Sequence, residues 1–337
     1  MALAGLPEAK QADHVRRWQR LMLNTGNRIP SLRNGWQALV KAGGTPESYV
    51  SLARATQETA ELILVWLVEE GVRLTGKRDV AAAGGAFLNV VANTSCASSA
   101  TLSSFFVPPA PHDAGISVGC AYAPFYLQRS VSTCGRFAKR SPTRLGPQYS
   151  DTEALAAVAK VEWALSSECK AISPEIAASL LHGGEVMARC AGRSEFGPRA
   201  LGGRSLLASP FVGGSAARLN RIKNRQSWRP VAPVTTKEAF SEIFDGPVAP
   251  HMQFTSKIKP SYAQSLREAM HCDGTARPQS LESVDDPWLY ALLACSGKIT
   301  GVPVLLNTSF NTAGQPIVES FEDALSTFLL VEGIDSL

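Results

Sequence analysis

The sequence predicts an α/β fold in which short apolar strands alternate with amphipathic helices. The stretch DVAAAGGAFLNVVAN, from residue 79, reads as a small-residue strand, a glycine turn and a helix, and LSSFFVPPAPHDAGISVG repeats that order. In the last third, the helix DPWLYALLACSGKITG leads into the buried strand VPVLLNTSF. Strand-turn-helix units of this kind are typical of α/β architecture.

Helix boundaries follow from the residues that start and stop helices. The amphipathic segment SLARATQETAELILVWLVEEGVRLTG should end at Gly76, and DTEALAAVAKVEWAL should begin with Asp151 as its cap. SPEIAASLLHGG has Pro174 in its first turn and glycine at its end, and SFEDALSTFLLVEG forms the last predicted helix. EVMARCAG predicts a strand that enters the most basic stretch of the chain.

Length and composition indicate one or two globular domains, since the chain has 337 residues, of which 45% are apolar and 18% charged. The longest apolar run, from Leu62 to Val68, is too short to cross a bilayer, and the amino terminus lacks a secretory signal pattern. We therefore expect a cytoplasmic protein with no membrane partner. Its seven cysteines are scattered and form no CxxC pair, so we expect reduced thiols that lie mostly in the core.

Positive charge is concentrated in one region. The net charge is only +4, yet residues 193–229 contain eight basic residues and one acidic residue. Within this region the arginine loop (residues 193–205, RSEFGPRALGGRS) sets three arginines against Glu195. A guanidinium binds phosphate or carboxylate through two parallel hydrogen bonds, and glycine lets backbone approach a ligand closely. The loop is either a solvated surface loop or an anion site, and the shortage of counter-ions favours the anion site.

The segment LNRIKNRQSWRPVAPV extends this basic region. On a helix, Asn220 would share a face with Lys223, and Arg221 would share a face with Arg225. Arg229 would lie where the helix gives way to an apolar strand, a position where ligand sites are often found. The alternative interpretation is an exposed basic helix.

Polar residues also follow the buried strand near the end of the chain. Asn307 and Ser309 come directly after VPVLL, and Arg277 follows a glycine turn in DGTARPQ. Ligands bind beyond the strand ends of open α/β sheets, although such residues can also cap the next turn.

Two features of the first third are weaker candidates. Gly84 and Gly85, beside Asn89, could bring a phosphate to a helix N-terminus. Asp113 could bind a metal or act as a base, but a carboxylate in this position more often caps a helix. The sequence has no P-loop, no GxGxxG, no nucleophile elbow and no HExxH spacing, so any ATP site would be of another type.

Seven motifs together resemble those of the ATP-dependent O-carbamoyltransferases of antibiotic and nodulation-factor biosynthesis, the class that modifies tobramycin, cephems and ansamycins. They follow the family's order and cover most of residues 50–337, and the pairing of EFGPRALGGRS with VLLNTSFN is highly specific. The motifs are GGAFLNVVAN, FFVPPAPHDAGISVG, LGPQYSD, GRSEFGPRALGGRS, LNRIKNRQSWRPVAPV, DGTARPQ and GVPVLLNTSFNTAGQPIVESFEDALSTF.

The resemblance implies two modules joined by a linker. Residues 1–128 would be the C-terminal lobe of an actin-like (Kae1-like) carbamoyl-transfer module, 129–150 the linker, and 151–337 a twisted-sheet, YrdC-like domain. In this family the second module turns ATP and carbamoyl phosphate into carbamoyl-adenylate. The first module, with a bound metal, passes the carbamoyl group to a hydroxyl of a small-molecule secondary metabolite.

The resemblance also assigns roles to individual residues. The expected catalytic residues are Arg199, Arg204, Arg229 and Lys223, of which the first two should hold carbamoyl phosphate or phosphate. ATP and the adenylate should be surrounded by Lys223, Arg229, Arg277, Asn307 and Ser309, and the nucleotide-contacting turn of the transfer module is matched by Gly84, Gly85 and Asn89. Asp113 matches the family's aspartate ligand for a divalent metal, iron or magnesium.

One departure from the family is large. Family members are nearly twice as long, and the first lobe of the transfer module, with its paired metal-binding histidines, has no counterpart in this sequence; His14 is no convincing replacement. Three interpretations are open: a second polypeptide supplies that lobe, the chain is a fragment, or it accepts its substrate differently. The alternative function is a half-enzyme or partner subunit that forms carbamoyl-adenylate or only binds nucleotide. A nucleic-acid binder is the third possibility, and the motifs argue against it.

Overall fold

The computed structural model describes residues 46–127, 143–161 and 171–337. These residues form two compact units. The first contains residues 46–82, 89–107 and 271–273, and the second contains the other described residues, including 83–88 and 108–127. Both units combine strands with helices, which confirms the predicted α/β class. None of the described helices combines the length and apolar content that a membrane span requires.

The first unit is built on one long helix, α1 (Pro46–Thr75). It buries Leu52, Ala55, Leu64 and Val68, and each successive pair, 52 with 55 and 64 with 68, has the spacing of neighbours on a helix surface. The helix ends where predicted, because Gly76 adopts a φ of +68° and its N–H bonds to the Val72 carbonyl at 2.8 Å. The rest of the unit contains α2 (Val90–Ala97) and the parallel strands β1 (Asp79–Ala81) and β2 (Ser104–Phe106).

A five-stranded mixed sheet organises the second unit, in the order β3, β4, β10, β5, β9. All neighbours are antiparallel except β5 and β9, which are parallel. The strands are β3 (Met187–Cys190), β4 (Arg204–Ala208), β5 (Ala232–Thr236), β9 (Gln279–Leu281) and β10 (Val304–Ser309). The predicted strands EVMARCAG and VPVLLNTSF are therefore confirmed, and the second of them lies at the centre of the sheet.

Both faces of this sheet are covered by apolar cores. Alternate residues of a strand point to opposite faces, and the leucines of β4 and β10 divide accordingly. Leu207 and Leu305 pack with α5 (Pro174–His182) and α9 (Pro287–Thr300), whereas Leu206 and Leu306 pack with α6 (Ser215–Ile222) and Phe310. By the same alternation Asn307 and Ser309 lie on the face of Leu305, where the apolar strand ends.

The other elements of the second unit surround this sheet. A small antiparallel sheet of β6 (Phe244–Asp245), β7 (Ser256–Ile258) and β8 (Thr275–Ala276) packs with α7 (Lys237–Ile243). The remaining helices are α3 (Gly115–Leu127), α4 (Asp151–Ala159), α8 (Pro260–Ala263) and α10 (Phe321–Leu330), with short 3₁₀ helices at Gly85–Leu88 and Arg267–Ala269.

One predicted cap is off by a residue. Ser150, not Asp151, caps α4: its hydroxyl accepts the N–H of Glu153, and the Glu153 carboxylate accepts the N–H of Ser150. This reciprocal pair is a capping box, which needs Ser or Thr three residues before Glu. The predicted continuation of this helix through residues 162–170 lies outside the described residues.

The cysteines are only partly as expected. Cys96, Cys120, Cys190 and Cys295 are free thiols, as predicted, but of the described cysteines only Cys96 and Cys295 are buried, and Cys120 and Cys272 are exposed. The scattered spacing of the cysteines along the sequence argues against a disulfide framework, but it does not predict which cysteines are buried. Cys134 and Cys169 lie outside the described residues.

Candidate functional site

The arginine loop is fixed from within by its single carboxylate. Glu195 does not pair with an arginine of the loop; its Oε1 accepts the backbone N–H groups of Leu201, at 2.9 Å, and Gly203. Residues 143–147 of the predicted linker run antiparallel to the start of the loop. The Gly146 N–H donates to the Ser194 carbonyl at 3.1 Å, and the Ser194 N–H donates to the Pro147 carbonyl at 2.9 Å. The Glu195 carboxylate therefore binds backbone N–H groups of the loop, and it does not neutralise the arginines of the loop.

Arg204 is 1% exposed and is held by main-chain carbonyls. Its Nε donates to Glu319 at 2.9 Å, and its Nη1 donates to Ala191, Gly192 and Gly203 at 3.0–3.2 Å. Nη2 is buried and has no hydrogen-bond partner in the described part of the chain. Most of this guanidinium therefore fixes the loop, and only the Nη2 edge remains for an anion.

A buried ionic triad holds the outer side of the loop. Asp286 accepts from Arg189 at 2.6 and 3.0 Å and from Arg144 at 2.6 Å, and Arg189 also donates to the Gly202 carbonyl. Burial alone would raise the pKa of the Asp286 carboxyl, but the two arginines and the N–H of Leu289 outweigh it, so this pKa is lowered. One carboxylate thus pairs with two arginines and anchors the loop to the start of α9.

Two glycines of the loop are required by this close packing. At Gly202, φ is +112°, and an added Cβ would lie 2.4 Å from the Leu289 side chain. At Gly203, an added Cβ would lie 2.9 Å from Arg144 Nη1 and 3.0 Å from Glu195 Oε1. The loop can therefore follow this path only without side chains at both positions.

The basic segment does not form one continuous helix. Helix α6 ends at Ile222, and Asn224 has a φ of +45°, so Arg221 and Arg225 do not share a helix face as predicted. The turn instead sends Arg225 back to Asn220, whose Oδ1 accepts from Arg225 Nε at 2.6 Å. The prediction failed because the pattern contains no residue that marks the break: Asn tolerates a left-handed backbone but does not require it.

Lys223 reaches the end of β10. Its Nζ lies 2.6–3.0 Å from four oxygens, the carbonyl and side-chain oxygens of Ser309 and Asn311. Burial, and then the charge of Arg225, lower the pKa of Lys223 to about 7. A predicted pair, Lys223 and Ser309, is therefore in direct contact.

Burial, and for Arg277 and Arg225 also the charge of neighbouring arginines, raises the free energy of the charged form of three arginines in this region. Burial and then the charges of Arg199 and Arg225 lower the pKa of Arg277 to about 9. Burial and the charge of Arg229 lower the pKa of Arg225 to about 10, and burial lowers that of Arg199. Such effects require guanidiniums that are close together and shielded from water.

We call Arg199, Lys223, Arg225, Arg229 and Arg277 the cationic cluster. No carboxylate in residues 46–127, 143–161 or 171–337 forms a salt bridge with any of them. Arg225 Nη2 and Arg277 Nε are buried without a partner in the same ranges. Arg229 is exposed, but the other four cations are desolvated by burial, which is costly without a carboxylate partner, so their concentration here indicates a site for an anionic ligand.

Asn307 borders the cationic cluster. Its Nδ2 donates to the Ala200 carbonyl at 3.3 Å and to Gln279 Oε1 at 2.9 Å. Ala200 is the neighbour of Arg199, and Ser309, which lies on the same face of β10, contacts Lys223. The structure therefore brings together Arg199, Lys223, Arg229, Arg277, Asn307 and Ser309 in the second unit, whereas the Arg204 guanidinium contacts main-chain carbonyls of other residues.

The predicted glycine turn has exposed backbone. Gly84 has a φ of +117°, its N–H bonds to the Pro111 carbonyl at 2.6 Å, and an added Cβ at Gly84 or Gly85 would meet nothing within 4 Å. Asn89, which belongs to the first unit, has a local structural role: it caps α2 through the Ala92 N–H at 3.1 Å and pairs with Gln57.

Asp113 is exposed, directly before α3. Beside it, Nδ1 of the half-buried His112 has no partner in the described part of the chain. Across that same part, no three His, Cys, Asp or Glu side chains come close enough to hold a metal ion together. The described residues thus do not by themselves fit a divalent metal, and His14 lies outside them.

Two protein-family models match this chain, and one of them covers the candidate site. The model described as "Carbamoyltransferase C-terminus" matches residues 178–337, which contain the whole cationic cluster, and "Carbamoyltransferase N-terminus" matches residues 27–122. The chain belongs to the carbamoyltransferase family. The resemblance seen in the sequence motifs is therefore confirmed.

Curated relatives of this family are longer than the chain. Nodulation protein NolNO of Sinorhizobium fredii is 32% identical over 338 residues, covering 96% of this chain and 49% of the relative. Nodulation protein NolO of Bradyrhizobium diazoefficiens is 33% identical over 314 residues, covering 90% and 56%. The chain spans about half the length of the curated relatives it matches.

A solved structure, the crystal structure of T. kodakarensis HypF, is also similar to part of the chain. It is 21% identical, with a TM-score of 0.33, and the match covers 48% of this chain and 20% of that one. A likeness at this level establishes neither a shared fold nor a shared activity.

Sequence reasoning missed the residues that hold the site in place. Arg225 was predicted only as part of a basic helix face, and Gln279 and the triad of Arg144, Arg189 and Asp286 were not predicted. The three triad members lie far apart along the chain, and no local pattern marks their meeting. For Gln279, the one available signal was its position two residues after Arg277.

Proposed function

We propose that this chain is an O-carbamoyltransferase that activates carbamoyl phosphate with ATP and transfers the carbamoyl group to a hydroxyl of a secondary metabolite. The observation that carries the proposal is the cationic cluster, whose charges have no protein carboxylate among the described residues and which lies within the family's C-terminal region. ATP and carbamoyl phosphate together bring several negative charges to one site, which is the kind of ligand such a cluster suits.

The activation reaction balances with water as a reactant. Water cleaves carbamoyl phosphate to carbamate and phosphate, and a carbamate oxygen then attacks the α-phosphorus of ATP. The bond from that phosphorus to the bridging oxygen of pyrophosphate breaks, which gives carbamoyl-adenylate and pyrophosphate. Cations already fixed in place lower this barrier, because they position the two anions and stabilise the charge that develops on the leaving group.

Roles follow from how each cation is held. Arg199 has no hydrogen bond or salt bridge to other described residues, so both edges of its fork can bind carbamoyl phosphate or the phosphate product. Arg204 contributes Nη2 and fixes the loop. Lys223, Arg229 and Arg277 surround the ATP phosphates and the adenylate, with Asn307 and Ser309 at the strand end; Arg225 adds a further cation beside Arg277.

The transfer step is assigned to the part of the chain before residue 128, an actin-like lobe in this proposal, with residues 151–337 as the YrdC-like domain and 129–150 as the linker. Gly84, Gly85 and Asn89 would contact nucleotide there. Asp113 would contribute one ligand to iron or magnesium. The missing metal ligands and the acceptor pocket would come from a second polypeptide or from residues outside those described.

A second candidate is a half-enzyme that forms carbamoyl-adenylate without completing transfer. It is favoured by the position of the cationic cluster, which lies entirely in the part assigned to adenylation. A cytoplasmic location is proposed for both candidates, since their substrates are cytoplasmic metabolites.

The test measures pyrophosphate released from ATP by the purified chain, with and without carbamoyl phosphate. We expect release that depends on carbamoyl phosphate, a loss of at least about 100-fold in Arg199→Ala, and little change in the matched control Arg221→Ala, because Arg221 is exposed on α6. Release without any carbamoylated acceptor would select the half-enzyme. If the folded parent chain releases no pyrophosphate, or Arg199→Ala matches it, both candidates are wrong.

A further inference from the structure

Two side chains, Gln279 and Asn307, form a hydrogen-bonded relay that starts at a main-chain carbonyl of the arginine loop. Gln279 Nε2 donates to the Leu201 carbonyl at 2.9 Å, and Gln279 Oε1 accepts from Asn307 Nδ2 at 2.9 Å. A carbonyl oxygen can only accept, so the end of Gln279 that faces Leu201 must be its NH₂ group. Its oxygen therefore faces Asn307, and Asn307 must turn its own NH₂ group toward Gln279.

The consequence is an acceptor with a fixed direction. Both N–H directions of Asn307 are occupied, by Gln279 and by the Ala200 carbonyl, so Oδ1 is the end that is left over. Asn307 is 1% exposed, and its Oδ1 has no hydrogen-bond partner in the described part of the chain. A buried acceptor without a donor is costly, so a ligand that brings an N–H to this atom gains affinity.

The relay lies at the cationic cluster. Gln279 follows Arg277 by two residues, and Ala200 and Leu201 directly follow Arg199. Between β9 and β10 lies β5, and its residue opposite Asn307 is Ala232, whose small side chain leaves room for the two amides to meet across that strand. The unpaired oxygen and the unpaired cations therefore belong to one site.

We propose that Gln279 is a positioning residue for acyl selection: it holds the Asn307 amide so that Oδ1 presents an acceptor, which favours an acyl group that carries N–H. This inference rests on the proposed function and names the donor group that the site distinguishes. A carbamoyl group has an NH₂ where an acetyl group has a methyl of similar size. Only the NH₂ can donate to Oδ1, so carbamoyl phosphate is selected over acetyl phosphate.

The experiment compares kcat/KM for pyrophosphate release with carbamoyl phosphate and with acetyl phosphate, and uses their ratio as the readout. Gln279→Met keeps the length of the side chain but removes both hydrogen bonds, so Asn307 loses its fixed orientation. We expect the ratio to fall by about 10- to 100-fold. General damage to the site lowers both rates and leaves the ratio unchanged. Ser280→Ala, on the opposite face of β9, is the matched control and should keep the ratio.

A double-variant cycle tests whether Gln279 acts through Asn307. Asn307→Ala should lower the ratio to a similar extent, and adding Gln279→Met to it should change the ratio by less than about twofold. If Gln279→Met does not fold, Asn307→Ala gives a second reading, because it removes the acceptor oxygen itself.

Each outcome bears on a different claim. If the parent chain releases no pyrophosphate with either donor, the proposed function fails and this inference fails with it. If the parent is active, the inference alone is overturned when folded Gln279→Met keeps the parental ratio, when its effect is undiminished in the Asn307→Ala background, or when folded Asn307→Ala keeps the parental ratio.

Discussion

Replacing Arg277 with methionine should stabilise the protein and abolish anion binding at the same time. Arg277 is partly buried, forms no salt bridge with the described residues, and has its Nε buried without a partner. Its charge is opposed by burial and by Arg199 and Arg225. Methionine keeps the apolar stem of the side chain and removes the charge, so packing changes little.

The magnitude follows from the pKa of Arg277, which is about 9. This value lies roughly 3.5 pH units below the ordinary pKa of a guanidinium, and one unit corresponds to about 1.4 kcal/mol, so the ceiling is on the order of 5 kcal/mol. Partial exposure and salt reduce it, and we expect the free energy of unfolding to rise by about 1–3 kcal/mol. Since the folded-state pKa is lowered, the unfavourable charge is fully present below pH 9, and the gain in the variant should shrink as the pH rises above that value.

The assay is urea denaturation at pH 7, with and without sulfate as a divalent anion. We expect Arg277→Met to be more stable than the parent without sulfate and to gain little from sulfate, whereas the parent gains. The control is Arg221→Met, which is exposed and should match the parent within about 0.5 kcal/mol in both conditions. A less stable Arg277→Met that still responds fully to sulfate would refute the reasoning.

Three further predictions concern the same region. Sulfate affinity should fall as the pH rises above about 7, by at most about tenfold per pH unit, because Lys223 in the free protein loses its proton there while bound sulfate favours its charged form. Calorimetry should show proton uptake when sulfate binds. Lys223→Met should show neither effect. Gly202→Ala should lower the free energy of unfolding by about 2–4 kcal/mol, read from thermal denaturation, because its Cβ would collide with Leu289 in a left-handed backbone; equal stability would contradict the packing described. Asp286→Asn should lower the free energy of unfolding, measured in urea at pH 7, by about 3–5 kcal/mol, because Arg189 would keep a buried charge without a carboxylate. In the parent this contribution should be lost only as the pH falls below about 4, since the pKa of Asp286 is lowered. A variant as stable as the parent would show that the triad is not needed.

Much of the fold could be predicted because its signals are local. The helices that end at Gly76 and begin near Pro174 carry their own start and stop residues, and the strand VPVLLNTSF is apolar on both faces because it lies at the centre of a sheet covered on both sides. The order of the strands could not be predicted, since β3, β4, β10, β5 and β9 are joined by contacts between distant parts of the chain.

The candidate site, like the fold, could be predicted only in part from the sequence. The concentration of positive charge from Arg193 to Arg229 is visible in the sequence, and several of those side chains do converge. What each one does depends on partners that the sequence does not reveal: Arg204 is taken up by backbone carbonyls, whereas Arg199 has no partner among the described residues. The orientation of Asn307 likewise depends on Gln279, which lies two strands away.

The central claim, that the cationic cluster supports formation of an acyl-adenylate, is tested most directly by isotope exchange between pyrophosphate and ATP. Adenylate formation is reversible, so the folded chain should incorporate labelled pyrophosphate into ATP only when carbamoyl phosphate is present, and Arg199→Ala should not. Exchange that is absent although the chain binds ATP, or that proceeds equally without carbamoyl phosphate, would contradict the claim.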